Sequence, residues 1–209
     1  MIRIYLAGEG SNDIGSWSWK EEDQGFDQFP GVLEALLQKI QPEGWQVVGG
    51  VAWKNLVKYR INTPGQAEIR NVLALAKRAK DAKCHILVFT RDRDKPKYRQ
   101  RQLDIQTGIQ QAEELHSGKL EIIGGIAIEK IEAWVAALQG MVRSEATIHP
   151  EKHLADRHGI ESKDTAAMVA LVERADLAKI PKDAISLRSW LDRAQEVFGR
   201  LVQAPAHGG

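Results

Sequence analysis

The chain has 209 residues, 27% of them charged, and a formal net charge of +1 at pH 7, which excludes a chain that is basic throughout and confines any nucleic-acid-binding surface to a local patch. Cys84 is the only cysteine, so an intramolecular disulfide is excluded and a reducing compartment is favoured. No apolar run reaches the roughly 20 residues of a membrane span, and we therefore expect a soluble, cytoplasmic protein without a membrane partner.

The N-terminal half begins with a pattern typical of a strand and a turn. Residues 2–7 favour a β-strand, and a polar segment with two glycines follows at 8–13. Residues 14–29, in which aromatic side chains are scattered among acids and glycines, are interpreted as an inserted loop. Apolar residues between 32 and 40 recur at helical spacing, and residues 45–51 predict the second strand.

The remaining elements alternate between helices and strands up to residue 138. The apolar stripe of residues 69–79 predicts a helix, followed by a strand at 85–90, a helix at about 98–116, a strand at 120–128 and a helix at 129–138. This alternation predicts an α/β fold with a mostly parallel four-stranded sheet flanked by helices. Beyond residue 140 the strand pattern stops, so we expect an α/β domain over residues 1–140 and a small helical cap over residues 141–209.

Acidic residues follow three of the four predicted strands. Glu9 follows the first strand, Asp92 and Asp94 the third, and Glu129 and Glu132 the fourth. The carboxyl ends of parallel strands meet at one edge of a sheet, where ligands bind. Carboxylates that converge there repel one another unless a cation lies between them. Oxygen ligands without cysteine favour Mg²⁺ or Mn²⁺, ions that suit phosphoryl chemistry.

The two glutamates near the last predicted strand have different expected roles. Glu129 is expected in the first turn of a helix, where the helix dipole favours a carboxylate whether or not it has another role. Glu132 borders the apolar stripe of that helix, and a nearby cation would compensate its charge. We therefore predict that Glu132→Gln abolishes metal-dependent activity and that Glu129→Gln is mild.

A run of basic residues crosses the acidic pair. Every second position is cationic: Arg91, Arg93, Lys95, Lys97, Arg99 and Arg101. On an extended chain these side chains would line one side and contact a phosphate backbone. The same run is also typical of a solvated surface.

Short motifs in the chain resemble a known domain family. The segment Glu9-Gly10-x-x-Asp13 and the hydrophobic strand ending in Asp92-x-Asp94 resemble the Toprim domain of topoisomerases, primases and the overcoming-lysogenisation-defect nucleases. The later Ile131-Glu132-Ala133-Trp134 and His149-Pro150-Glu151-Lys152 are similar to a small Toprim-like group associated with phage defence. The resemblance covers about residues 1–155, and the aromatic segment after Asp13 is longer than the usual turn.

The resemblance implies a Toprim-like, Rossmann-like fold and Mg²⁺-dependent hydrolysis of phosphodiester bonds in DNA or RNA. It implies that Glu9 is a metal ligand or general acid/base, that Asp92 and Asp94 bind the metal, and that Glu132 completes the site. Arg91, Arg93, Lys95 and Lys97 would then contact nucleic acid. A role as an anti-phage effector is consistent with the same resemblance.

Two alternatives remain open. The chain is also consistent with a non-catalytic Toprim-like subunit that serves an ATPase or another defence component. A strand ending in Asp-x-Asp also opens the active site of haloacid-dehalogenase phosphatases, in which the first Asp is a nucleophile. That motif normally lies on the first strand, whereas here it lies on the third predicted strand and Lys95 follows it.

Overall fold

A parallel sheet forms the centre of the protein. The computed structural model describes residues 1–20, 25–59, 66–93, 99–161 and 164–203. The strands are β1 (Ile2–Gly8), β2 (Ser16–Lys20), β3 (Gly25–Phe29), β4 (Trp45–Ala52), β5 (Ile86–Asp92) and β6 (Glu121–Ala127). Four of them form an all-parallel sheet in the order β4-β1-β5-β6. The predicted α/β class and the four-stranded parallel sheet are confirmed.

The segment after the first strand differs from its prediction. Strands β2 and β3 form an antiparallel pair in which Ser16 is opposite Phe29, so the interpretation of residues 14–29 as a loop was wrong. The alternation of serine and tryptophan over residues 16–19 is a strand pattern. Gly15 turns the chain into this pair with a φ of +76°, and a Cβ there would lie 1.8 Å from the Phe29 carbonyl oxygen. Only glycine fits that position.

The helices are α1 (Ser11–Ile14), α2 (Val32–Ile40), α3 (Ala67–Asp81), α4 (Arg99–Leu115), α5 (Ile131–Leu138), α6 (Pro150–His158), α7 (Thr165–Arg174) and α8 (Ile185–Gln203). Short 3-10 helices span Trp53–Tyr59, Ser144–Ala146 and Leu177–Lys179. Helix α5 begins two residues later than predicted, and Glu129 precedes it with a φ of +67°. The prediction that Glu129 lies in the first helical turn was wrong, because a backbone reversal separates β6 from α5.

Helices cover both faces of the sheet. On one face, Val72 of α3 and Ile105 of α4 pack in the same cluster as Phe89 of β5. On the other face, α2, α5, α7 and α8 share a cluster with Leu6 and Val88. Burial on both faces explains why the central strands β1 and β5 contain continuous apolar runs rather than alternating ones.

The C-terminal helices belong to this second layer. The indole nitrogen of Trp190 donates to the carbonyl oxygen of Phe89 at 3.3 Å, and Arg193 donates to the carbonyl oxygen of Ile122 at 3.1 Å. Helix α8 therefore packs on the sheet itself. A separate unit over residues 141–209 stays a prediction.

Glu145 caps helix α8 from a distant part of the chain. Its Oε1 accepts hydrogen bonds from the backbone nitrogens of Ser186 and Leu187, both at 3.0 Å, and from Ser186 Oγ at 2.7 Å. The residue is 7% exposed. These donors lie in the first turn of α8, where the helix dipole also favours an anion.

We expect Glu145→Ala to lower the free energy of unfolding by about 3 kcal/mol, because buried backbone donors lose their acceptor. For a chain of this size that corresponds to a fall of roughly 6–12 °C in melting temperature. Glu145→Gln keeps an oxygen acceptor and should lose less. Glu114→Ala, an exposed change on α4, is the control, and equal melting temperatures for all variants would disprove the cap.

In the part of the chain that the structure describes, no helix is long and apolar enough to cross a membrane.

Candidate acidic site

Asp13 occupies a buried position at the carboxyl edge of β1. It is 2% exposed, and its Oδ2 accepts hydrogen bonds from the Glu9 backbone nitrogen at 2.7 Å and from Thr90 Oγ1 at 3.2 Å. A Cβ on Gly8 would lie 2.4 Å from the Cβ of Asp13. The absence of a side chain at Gly8 therefore lets α1 fold back onto the end of its own strand and carry Asp13 inward.

Glu132 is the second buried carboxylate of this site. It lies in the first turn of α5 and is 8% exposed. Its Oε1 accepts a hydrogen bond from Asn12 Nδ2 at 3.1 Å, and Asn12 Oδ1 accepts one from Thr165 Oγ1 at 2.9 Å. Asp13 and Glu132, here called the acid pair, are thus held by contacts from α1, β5, α5 and α7.

Burial opposes the ionisation of both carboxyl groups. Burial, with a further contribution from the charge of Glu132, raises the pKa of Asp13 to about 8, against the opposing hydrogen bond from Thr90. Burial also raises the pKa of Glu132, although hydrogen bonds from its own backbone amide and from Asn12 oppose this shift. A nearby positive charge would favour the ionised form of both groups, as that of Lys130 does for Glu132.

The acid pair suits a divalent ion that is only partly enclosed by protein. Mg²⁺ is commonly held by one or two carboxylates, with water and substrate phosphates completing the octahedron. Among the described residues, no group of three or more His, Cys, Asp or Glu side chains is placed to hold an ion. Two carboxylates could therefore hold such an ion if water and substrate supplied its remaining ligands.

Glu9 does not join the acid pair. Its carboxylate, 30% exposed, forms an ion pair with Arg91. Arg91 also contacts Glu68 at 3.3 Å and lies 5.5 Å from the ring centroid of Trp53. A guanidinium group thus contacts the Glu9 carboxylate, and the predicted roles of Glu9, Asp92 and Glu132 as ligands of one ion stay predictions.

Asp92 is the last residue of β5 and is half-buried. Strand alternation places it on the same face of the sheet as Thr90, which bonds to Asp13. Its backbone carbonyl accepts a hydrogen bond from Arg101 at 2.8 Å. Asp94, Lys95 and Lys97 lie outside the described residues, so their predicted roles stay predictions.

The cations predicted to contact nucleic acid are paired with acids. Arg91 and Arg101 both contact Glu68, at 3.3 and 3.2 Å, while Arg93 contacts Glu129 at 3.0 Å. The side chains of Arg91 and Arg93 are only about 15% exposed. The expected extended line of cations is not formed by the described residues, because Arg101 lies on α4 and the strand has already ended.

The ion pair between Arg93 and Glu129 gives a stability prediction. We expect Glu129→Ala to lower the free energy of unfolding by about 3 kcal/mol, because Arg93 loses its partner in a mostly buried position. Glu129→Gly loses the same ion pair but accommodates the positive φ, so it should be more stable than Glu129→Ala by about 1 kcal/mol. Denaturant unfolding of both variants measures this, and a glycine variant no more stable than the alanine variant would disprove the backbone argument.

The sequence motif included Asp13 but gave it no role. The contributions of Asn12, Thr90 and Thr165 to the site were not predicted from the sequence. The spacing of Glu9 and Asp13 was the available signal, because four residues are about one helical turn, which brings Asp13 back towards the end of the strand. Thr165 had no signal, because 153 residues separate it from Asn12.

Comparisons with protein-family models, with curated proteins and with solved structures find no match for this chain.

Proposed function

We propose that the protein is a Mg²⁺- or Mn²⁺-dependent nuclease that hydrolyses phosphodiester bonds. The acid pair carries this proposal: two buried carboxyl groups, Asp13 and Glu132, lie at the carboxyl edge of a parallel sheet with raised pKa values. Perturbed carboxyl groups in such a position are typical of functional sites. The resemblance of the surrounding motifs to Toprim domains supports the same chemistry.

Each residue of the site has a distinct task in this proposal. Asp13 and Glu132 would hold the ion, which supplies charge neutralisation at the scissile phosphate and lowers the pKa of water. Thr90 and Asn12 orient the two carboxylates through their hydrogen bonds. Asp92, on the same face of the sheet, is the candidate to accept a proton from the attacking water.

A second candidate function is a non-catalytic Toprim-like subunit of an ATPase-containing defence complex. The ion pair between Glu9 and Arg91 favours it, because this contact engages an acid that the resemblance assigns to catalysis. A role in phage defence follows from the resemblance alone and stays a prediction.

The decisive experiment incubates the protein with DNA, messenger RNA and transfer RNA in Mg²⁺, in Mn²⁺ and in EDTA. Cleavage that requires the ion and disappears in Asp92→Asn supports the nuclease. Asp81→Asn, an exposed change on α3, should retain cleavage. If none of these substrates is cleaved in Mg²⁺ or in Mn²⁺, the result would favour the non-catalytic subunit.

Ion binding should also be visible without any substrate. Millimolar Mn²⁺ should raise the melting temperature, because an ion that binds only the folded state stabilises it by mass action. Asp13→Asn should lose this gain and Asp81→Asn should keep it. If Mn²⁺ raised the melting temperature of Asp13→Asn as much as that of the wild type, the ion would not bind at the acid pair.

A further inference from the structure

A pocket opens beside the acid pair. It encloses about 330 Å³ between α1, the ends of β2 and β3, and α7. We call it the α7 pocket, and its walls include Ser11, Ser16, Phe29, Thr165 and Val169. Its volume lies at the lower end of the range for small-molecule sites, which is large enough for one flat heterocycle but not for a base pair.

The one-turn helix α1 joins this pocket to the acid pair. Its first three residues make different contacts: Ser11 lines the pocket, Asn12 donates a hydrogen bond to Glu132, and Asp13 is the buried acid. Thr165 lines the pocket and donates to Asn12 at 2.9 Å. A group bound in the pocket would therefore touch Thr165, whose hydroxyl group bonds to Asn12, the donor to Glu132.

The walls of the pocket suit an uncharged aromatic ring. Phe29 is 63% exposed and lines the pocket, so its ring is accessible for stacking on another ring. Ser11, Ser16 and Thr165 add hydroxyl groups that can donate to or accept from the edge of a heterocycle. Glu173 is the charged group among the described residues that line the pocket, and none of them is cationic, so a phosphate would be repelled there.

We infer that the α7 pocket binds one unpaired nucleobase of the strand whose phosphate lies at the acid pair. Phe29 stacks on the base, and the hydroxyl groups contact its edge. This inference rests on the proposed function and narrows the substrate class to single strands, strand ends or loops. A base inside a duplex is already paired and stacked, and has to be flipped out at a cost of a few kcal/mol before it can enter the pocket.

Direct binding tests the pocket without relying on cleavage. The probes are single-stranded DNA and RNA pentanucleotides with all bases present, and matched strands with one abasic position moved along the chain. Fluorescence anisotropy in EDTA gives the dissociation constants. For wild type, one abasic position should weaken binding on the order of tenfold, the scale of one base–aromatic stack.

Variants of the pocket residues, tested with the intact and the abasic strands, complete a double-mutant cycle. Phe29→Ala should weaken binding of the intact strand about tenfold and should no longer distinguish it from the abasic strand. Phe29→Leu keeps an apolar side chain but loses the ring, so it should behave like Phe29→Ala. Ala166→Leu, at an exposed position on the pocket wall, should block entry. Leu115→Ala removes another exposed apolar side chain, 70% exposed on α4, and should bind like wild type.

The outcomes separate the pocket from the proposed chemistry. Base-dependent binding that is lost in Phe29→Ala supports the pocket even if the protein cleaves no substrate, in which case only the proposed function fails. Metal-dependent cleavage with unchanged affinity and KM in Phe29→Ala overturns the pocket and leaves the function intact. Equal kcat/KM for a blunt duplex and a single strand also overturns the pocket, as does full binding by Phe29→Leu.

Discussion

Glu132→Gln is expected to lower metal-dependent cleavage roughly 100-fold or more while the fold persists. The amide keeps an oxygen in the position that accepts the hydrogen bond from Asn12 at 3.1 Å, so the packing around α5 should not change. It removes the negative charge that an ion would need. Stability at neutral pH should stay equal or rise slightly, because burial opposes the charge of Glu132 and raises its pKa.

Cleavage rate and melting temperature, measured on the same preparation, test this prediction. Glu114→Gln is the matched control, since it makes the same chemical change at an exposed position of α4. A Glu132→Gln variant that cleaves at the wild-type rate would place the ion elsewhere. A variant that has lost both cleavage and fold would call for Glu132→Asp, which retains the charge and should regain part of the activity only if the carboxylate binds the ion.

Asp13→Asn is expected to make the metal-free protein more stable at neutral and alkaline pH. The carboxyl group of Asp13 has a pKa of about 8 in the folded protein and an ordinary value of 3.8 when exposed. Between about pH 4 and pH 8 the folded state therefore holds a proton that the unfolded state has released. The free energy of unfolding of the wild type falls across this window by up to about 1.4 kcal/mol per pH unit.

Asparagine is uncharged at every pH and has nearly the same shape as the protonated acid. Near pH 4 the two proteins should therefore be about equally stable, and near pH 7.5 the variant should be more stable by about 4–5 kcal/mol. Urea unfolding in EDTA at several pH values measures the difference. A difference that does not change with pH would show that Asp13 is ionised in the folded protein throughout this range.

With Mn²⁺ present, the wild type should become more stable than Asp13→Asn. An ion bound at the acid pair favours the ionised carboxylates, so it should reduce the pH dependence of the wild type and raise its stability at pH 7.5. Asp13→Asn should gain little. Asp81→Asn should follow the wild type with and without the ion, because Asp81 lies at the exposed end of α3. Greater stability combined with lost activity would identify Asp13 as a residue retained for function.

Sequence patterns predicted the structure correctly where burial of the elements in the core restricted them to apolar residues. The four parallel strands and helices α2, α3 and α4 lie within about two residues of their predicted bounds, because continuous apolar runs and helical stripes have few other uses in a chain of this size. They failed at β2 and β3, where neighbouring acids and glycines in the sequence obscured a short alternating pattern. They also failed at Glu129, because a reversal with a φ of +67° leaves no periodic signal.

By itself, the sequence determined that carboxylates gather at one edge of a parallel sheet, since strand order along the chain places Glu9, Asp92 and Glu132 near strand ends. Only the tertiary structure decided how they are partnered. Asp13 is buried beside Glu132, whereas Glu9 pairs with Arg91 and Glu129 with Arg93. The physical reason is range: a hydrogen bond or ion pair acts over a few ångströms, and the groups that meet here, such as Asn12 and Thr165, are up to 153 residues apart in the chain.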